Sequence, residues 1–362
     1  MSGRLLRLVC TAALAAGAVL APVPATAVPE PDDRERTVAE LLTDLQRLYR
    51  EAEQATETYN ATEEKLRKQQ AEVRRLDTAL ARARLSLHDS RGAAGRLARQ
   101  QYQNSTDISP YVRLLLARDP QRALDQGHVI GQLARERAET VGRLTGSERK
   151  ADGLAREARE ALDKRLGLAA RQKKDRDGVR EKLHAVEELL ASLTPEQLDA
   201  VSELERTDIA RAQQDLVASG ALSSDEDEPT READRALRYA VQQLGKPYKW
   251  GAEGPESYDC SGLTSEAWGH AGRVIPRTSQ EQWARLPRIP LRDLRPGDLV
   301  IYFPDATHVA LYLGEGKIVQ APRTGEDVKV SPLASNPILG AVRPDLRPEP
   351  HRPAERDHGA AE

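Results

Sequence analysis

The sequence predicts a multidomain protein, an all-α antiparallel coiled-coil hairpin followed by a small α+β domain with an antiparallel sheet. Three observations carry this reading. Apolar residues repeat in a three-four rhythm through the N-terminal half. All three Trp (Trp250, Trp268, Trp283) and the single Phe, Phe303, fall after residue 230. The segment after Leu294 breaks into short apolar runs bounded by Gly, Pro and Asp.

The first element is an export signal. Arg4 and Arg7 form a basic region, Leu8–Leu20 an apolar run too short to span a bilayer, and Ala25-Thr26-Ala27 a small-residue cleavage site. Residues 1–27 are therefore assigned as a signal peptide, and the protein is expected to be secreted or wall-associated, with no transmembrane span. Cys10 lies within that segment, which leaves Cys260 as the thiol of the mature chain. A lone thiol in an exported protein is a leftover buried Cys, an intermolecular link or a nucleophile.

Residues 28–217 read as the helical domain. From Val38 the seam runs Leu41, Leu45, Leu48, Ala52, Ala55, Tyr59, Thr62, Leu66, Gln69, Val73, Leu76, Leu80, Ala83 and Leu87, in one heptad register. Over 36–91 this makes a rod on the order of 80 Å long, loosened by Gly92 and Gly95. Asn104–Pro110 reads as a turn region, followed by an apolar patch at 111–116. Asp119-Pro120 starts a second long helix to about Ser192, whose seam includes Ile130, Val141, Leu144, Ala151, Leu162, Val179 and Val186. Small residues and intruding charges suit a close partner, the first helix folded back on itself. Heptads specify pairing but not purpose, so a spacer or dimer rod stands beside a regulatory or partner-binding arm. Thr194-Pro195 opens a further helix to about Val217, and 218–230, with Asp225–Glu228, is an acidic linker.

Residues 231–345 form the second domain, and 346–362, rich in Pro and charge, a disordered tail. A helix over 231–244 ends at Gly245-Lys246-Pro247. Asp259 is placed as an N-cap, so Cys260 opens a helix, where the partial positive charge favours thiolate. Strands are predicted at 299–303, 308–313 and 317–321. A three-residue loop pairs Leu313 with Lys317, opposite residues sum to 630, and Gln320 becomes the diagonal neighbour of His308.

A thiol nucleophile needs a base, and the base a third group to set its tautomer. Cys260, His308 and Gln320 supply all three. His270 is nearly three turns along the helix from Cys260 and reaches it poorly. One Cys and two His fall short of a zinc set, and neither a metal nor an organic cofactor is called for. With a net charge of −3 and no concentrated positive segment, a nucleic-acid role is excluded.

Gly245-Lys246-Pro247-Tyr248, Trp250-Gly251, Asp259-Cys260-Ser261-Gly262-Leu263, Pro276-Arg277-Thr278-Ser279, Leu294–Leu299 and His308–Gly314 occur in the order seen in NlpC-type cell-wall peptidases, a papain-like cysteine family. The resemblance implies a helix bearing the Cys packed against a sheet bearing the His, and cleavage of peptidoglycan stem peptides, commonly between D-γ-glutamyl and a diamino acid. By position Cys260 resembles the nucleophile, His308 the base and Gln320 the orienting residue. Tyr248 resembles the tyrosine near the oxyanion site, and Asp259, Ser261, Arg277 and Ser279 resemble substrate-binding positions. Gln320 departs from the family's frequent His, and Ala252 stands where a second Gly is frequent. The N-terminal half also looks like the paired helices of exported actinobacterial-type hydrolases, where they cover the cleft or dock on a membrane or divisome partner. The rival from another class is a noncatalytic coiled-coil adaptor whose C-terminal domain binds wall or activates another hydrolase.

Overall fold

The computed structural model describes residues 36–103, 112, 115–116, 119–223 and 227–346. The predicted signal peptide, the 104–110 turn, half of the patch at 111–116 and nearly all of the tail lie outside the described residues. Among those described, no helix is long and apolar enough to cross a membrane.

Helix α1 spans Val38–Gln103 and α2 spans Pro120–Ser192, with Asp119 capping α2 through the Gln121 amide. They run antiparallel. Lys182 pairs with Glu51 at 2.9 Å, Thr62 with Asp175 at 2.7 Å and Ser90 with Ser147 at 3.0 Å, so partner numbers fall on one helix as they rise on the other. The predicted seam is buried at Leu41, Leu45, Ala52, Leu66, Val73, Leu76, Leu80 and Ala83. Gly92 and Gly95 do not end the rod, because a glycine costs a helix only about 1 kcal/mol and the packed seam outweighs it. On α2 the prediction slips: Val141 and Leu162 are exposed, and Ala161 packs against Val73 and Leu76 instead. A 3.6-residue turn drifts about 20° per heptad from a strict seven-residue repeat, enough to move the contact by one residue.

Helix α3, Pro195–Ala218, opens on a capping box between Thr194 and Gln197 and folds back on the hairpin base, where Val201 packs with Leu41, Leu42, Leu45 and Val186.

The remaining helices are α4 (Arg231–Val241), α5 (Cys260–His270) and α6 (Ser279–Arg285). The strands are β1 (Arg288–Ile289), β2 (Leu299–Tyr302), β3 (His308–Gly314), β4 (Lys317–Gln320), β5 (Lys329–Pro332) and β6 (Ile338–Val342). They form one antiparallel six-stranded sheet, in the order β1-β6-β2-β3-β4-β5. The predicted register holds inside the β3–β4 hairpin, where Leu311 faces Val319 and Tyr312 faces Ile318. At the turn it does not: Gly314, not Leu313, faces Lys317, leaving a two-residue turn at Glu315-Gly316 with both φ positive, the conformation that matches strand twist. Strand β2 stops one residue early because Phe303 turns left-handed, with φ 63°.

Both sheet faces are covered, which is why β2 and β3 are buried almost throughout. One face, through Leu299, Ile301, Val309, Leu311 and Val319, packs on α4 and α5. The other, through Val300, Ala310, Tyr312 and Ile318, is capped by Leu216 and Leu222 from the end of α3 and beyond. The arm is thus built into the domain's packing.

Candidate active site

Asp259 starts α5 by accepting the Gly262 amide at 2.6 Å, and this cap sets Cys260 at the first helical position. Gly262 has no tolerable replacement, since a Cβ there would run into the Ala252 carbonyl oxygen. That carbonyl accepts the Asp259 amide, tying the loop at Ala252 to the helix start. Asp259 is wholly buried and also accepts from the Gly251 amide (2.9 Å) and from two nitrogens of Arg277 (3.0 and 2.7 Å). Arg277 lends a third donor to Ser261 Oγ at 2.9 Å, so the Ser261 hydroxyl proton is free to point elsewhere.

His308 begins β3 and Gln320 ends β4. The imidazole Nε2 lies 2.7 Å from Gln320 Oε1, and the Gln320 amide nitrogen donates to Ser331 Oγ on β5 at 2.8 Å. With its NH2 committed to Ser331, Gln320 offers oxygen to the ring, so Nε2 carries the proton and Nδ1 is the bare acceptor. Cys260 adjoins the backbone N–H of Val309, the residue after His308. Tyr248, also buried, lies within electrostatic reach of Cys260 and Asp259. The fold therefore gathers Cys260, His308, Gln320, Tyr248, Asp259, Ser261, Arg277 and Ser279 into one place. His270 sits exposed at the far end of α5, stacked on Tyr239. Among the described residues no cluster of His, Cys, Asp and Glu side chains is suited to hold a metal ion.

The site is not open, because α1 lies across it. Glu57, two residues from the seam positions Ala55 and Tyr59, accepts from Ser261 Oγ at 2.8 Å and from the Ser279 amide at 2.8 Å, and its Oε1 stands 3.9 Å from Cys260 Sγ. Glu53, one turn earlier, stands 3.6 Å from His308 Nδ1, and Asn60 donates to Asp259 at 3.0 Å. Further along the same face Tyr59 meets Trp250 edge-on, and Arg67 reaches Glu253 at 3.2 Å. Tyr59 comes so near the backbone at Gly251 that a Cβ there would approach its ring to 3.2 Å. At the other end Arg323 lies over Tyr49 of α1 and binds Glu205 of α3 through two 2.9 Å hydrogen bonds. Gln213 of α3 bridges Gly316 and Ala334.

This lid overturns one expectation about charge. A helix start was expected to favour the thiolate, yet burial, and then the carboxyls of Glu57, Asp259 and Glu53, push the Cys260 thiol well up. Burial likewise lowers His308 to about 4, against the raising influence of Gln320 and Asp259. The covered site holds a neutral thiol and a neutral imidazole.

Glu53, Glu57, Asn60 and Ser331 were not found by the sequence reading. Scoring α1 only for its seam hid a second stripe, although one signal was present: between Leu48 and Leu66 the seam thins to Ala52, Ala55, Tyr59 and Thr62.

The NlpC/P60 family matches residues 245–342. Those residues are an NlpC/P60 domain. Over 104 residues the chain is 43% identical to a probable endopeptidase of Corynebacterium glutamicum, covering 29% of this chain and 50% of that protein. It is 35% identical over 128 residues to the murein DD-endopeptidase MepH of Escherichia coli, covering 33% and 47%. The chain thus spans about half the length of these relatives. Among solved structures it resembles RipD of Mycobacterium tuberculosis, a non-catalytic NlpC/p60 domain protein, at 31% identity and a TM-score of 0.29, covering 32% of this chain and 98% of that one.

Proposed function

We propose that this protein is a secreted, cysteine-type peptidoglycan endopeptidase whose NlpC/P60 domain is covered by its own helical arm. The observation that carries the enzymatic reading is the 2.7 Å His308–Gln320 hydrogen bond beside a helix-initiating Cys260. It leaves an imidazole nitrogen free to take the thiol proton once solvent or substrate replaces α1. In the reaction, Cys260 Sγ attacks the stem-peptide carbonyl carbon while its proton passes to His308 Nδ1. The C–N bond then breaks, the proton goes to the leaving amine, and a thioester remains. Water, deprotonated by the same imidazole, releases the acid and restores the thiol. The bond proposed is that between D-γ-glutamyl and the diamino acid. Endopeptidase names among the relatives support hydrolysis of peptidoglycan peptides, and Arg4, Arg7 and the apolar run to Leu20 support export.

Regulation by occlusion is the second part of the proposal, supported by Glu53, Glu57 and Asn60 standing on His308, Cys260 and Asp259. Purified muropeptides incubated with full-length Glu57→Lys, in which the lid is broken, should yield fragments whose masses place the cut, and adding Cys260→Ser should abolish them. Equal inactivity of both proteins on every muropeptide would remove the enzyme reading and leave the adaptor.

A further inference from the structure

Closure buries more carboxyl groups than cations. Glu53 and Glu57 enter from α1 beside Asp259, which stands at the start of α5. The nearest cation, Arg277, is committed to Asp259 and to Glu253. Arg323, from the loop after β4, pairs with Glu205 and Glu326, and Arg50 of α1 lies over the Phe303 ring. Cys260 on α5, Tyr248 and His308 on β3 add no positive charge, since burial holds all three neutral at pH 7. On the far side of α1, Lys182 and Asp175 of α2 are taken by Glu51 and Thr62.

The contact between Glu53 and His308 favours a proton between them. With Nε2–H given to Gln320, Nδ1 is an acceptor, and it faces Glu53 Oε1 at 3.6 Å. Neither Nδ1 nor Glu53 Oε2 has a hydrogen-bond partner. Nδ1 is buried with no donor to satisfy it while Glu53 keeps 12% exposure, so a proton on one of the two groups turns facing lone pairs into a donor and an acceptor. The proton belongs on the carboxyl: burial first, and then Glu57, push Glu53 up to about 8 against Arg323 and Arg50, whereas His308 sits near 4. Burial and then Asp259 likewise push Glu57 up to about 7, against Arg277 and its two hydrogen-bond donors.

We propose that α1 closes the cleft as a proton-loaded plug: Glu53 and Glu57 dock as neutral acids, and their ionisation in solvent draws the arm off the site as pH rises. This rests on the occlusion reading. The sign follows from linkage. Both carboxyls titrate higher when closed than their ordinary 4.5, so their help to closure is complete below that value and is lost as pH climbs through about 7 and 8. His308 acts oppositely, since closure lowers it from 6.5, but only where the open imidazole is protonated. Cys260, raised by closure, acts with the glutamates. Between pH 6.5 and 8 the glutamates dominate.

The test is alkylation of Cys260 in the full-length chain, followed by mass spectrometry of its peptide, in wild type and Glu53→Gln/Glu57→Gln. Taking the ratio of the two rates cancels the thiol's own titration. The ratio should rise on the order of 10–100-fold from pH 6.5 to 8. Glu53→Gln alone should remove the larger share of that rise, which keeps the test decisive where the double variant folds poorly. A flat ratio with slow labelling overturns the proton plug and leaves occlusion standing. Labelling of wild type at the rate of a free thiol already at pH 6.5 overturns both.

Discussion

Helix α1 has two buried faces, and they are made differently. Toward α2 it presents Leu41, Leu45, Leu66, Val73, Leu76, Leu80 and Ala83, an apolar seam with a few polar pairs. Toward the NlpC/P60 domain it presents Tyr49, Glu53, Glu57, Tyr59, Asn60 and Arg67, and these contacts are mostly polar, with Tyr59 on Trp250 and Arg323 over Tyr49 as the aromatic ones. Apolar burial at about 25 cal/mol per Å² has no comparable desolvation cost to set against it, so such a seam suits a permanent fold. Burying charged and polar groups costs free energy that their new partners only roughly return. A contact of that kind is specific without being tight, which suits the reversible cover proposed above.

The contrast can be broken most sharply at Glu57. Replacing it with Lys removes two hydrogen-bond acceptors and sets an unpaired buried cation beside Arg277, a loss on the order of 3–5 kcal/mol. Cys260 alkylation should accelerate by about 10²-fold or more at pH 7, while the hairpin's far-UV melting temperature barely moves. An unchanged alkylation rate would mean that the cleft face contributes nothing to closure.

The complementary change is Leu76→Ala. It opens a cavity in the seam, at 3% exposure, and should cost about 2–4 kcal/mol of stability, read as a lower melting temperature. Cys260 alkylation should stay slow, because Leu76 lies more than four turns beyond Asn60 on α1. Coupled changes in both measurements would show that the two faces do not act independently.

The smallest effect is expected at the latch. Arg323 joins Glu205 of α3 and Tyr49 of α1 to the domain, but it is 23% exposed, so Arg323→Ala should loosen the lid by about 1 kcal/mol or less. That corresponds to a few-fold faster alkylation with the melting temperature unchanged.

Much of the architecture was legible because periodic patterns report on local neighbours. The heptads of α1, the Asp259 cap and the β3–β4 pairing each follow from residues close in sequence. Gln320 could be set diagonal to His308 by counting back from one tight loop. Strands β1 and β6 were missed because they gain their partners across long separations, Arg288 with Val342 and Leu299 with Val342, and β5 because its largely polar residues, ending on Pro332, carry no apolar run. The charge state of Cys260 was misread for the same reason: a helix start is a local feature, whereas the carboxyl at Glu57 lies 203 residues away.

By itself, then, the sequence determined the two-part architecture and the chemistry available to it: a thiol, an imidazole, an amide and a helical arm. The tertiary structure alone decided that the arm lies on the thiol. Heptad spacing states only that α1 has one apolar stripe. Which polar residues off that stripe become buried depends on where a second domain docks, and docking is set by shape and by partners such as Arg277, Ser279 and Asp259, brought together only by folding.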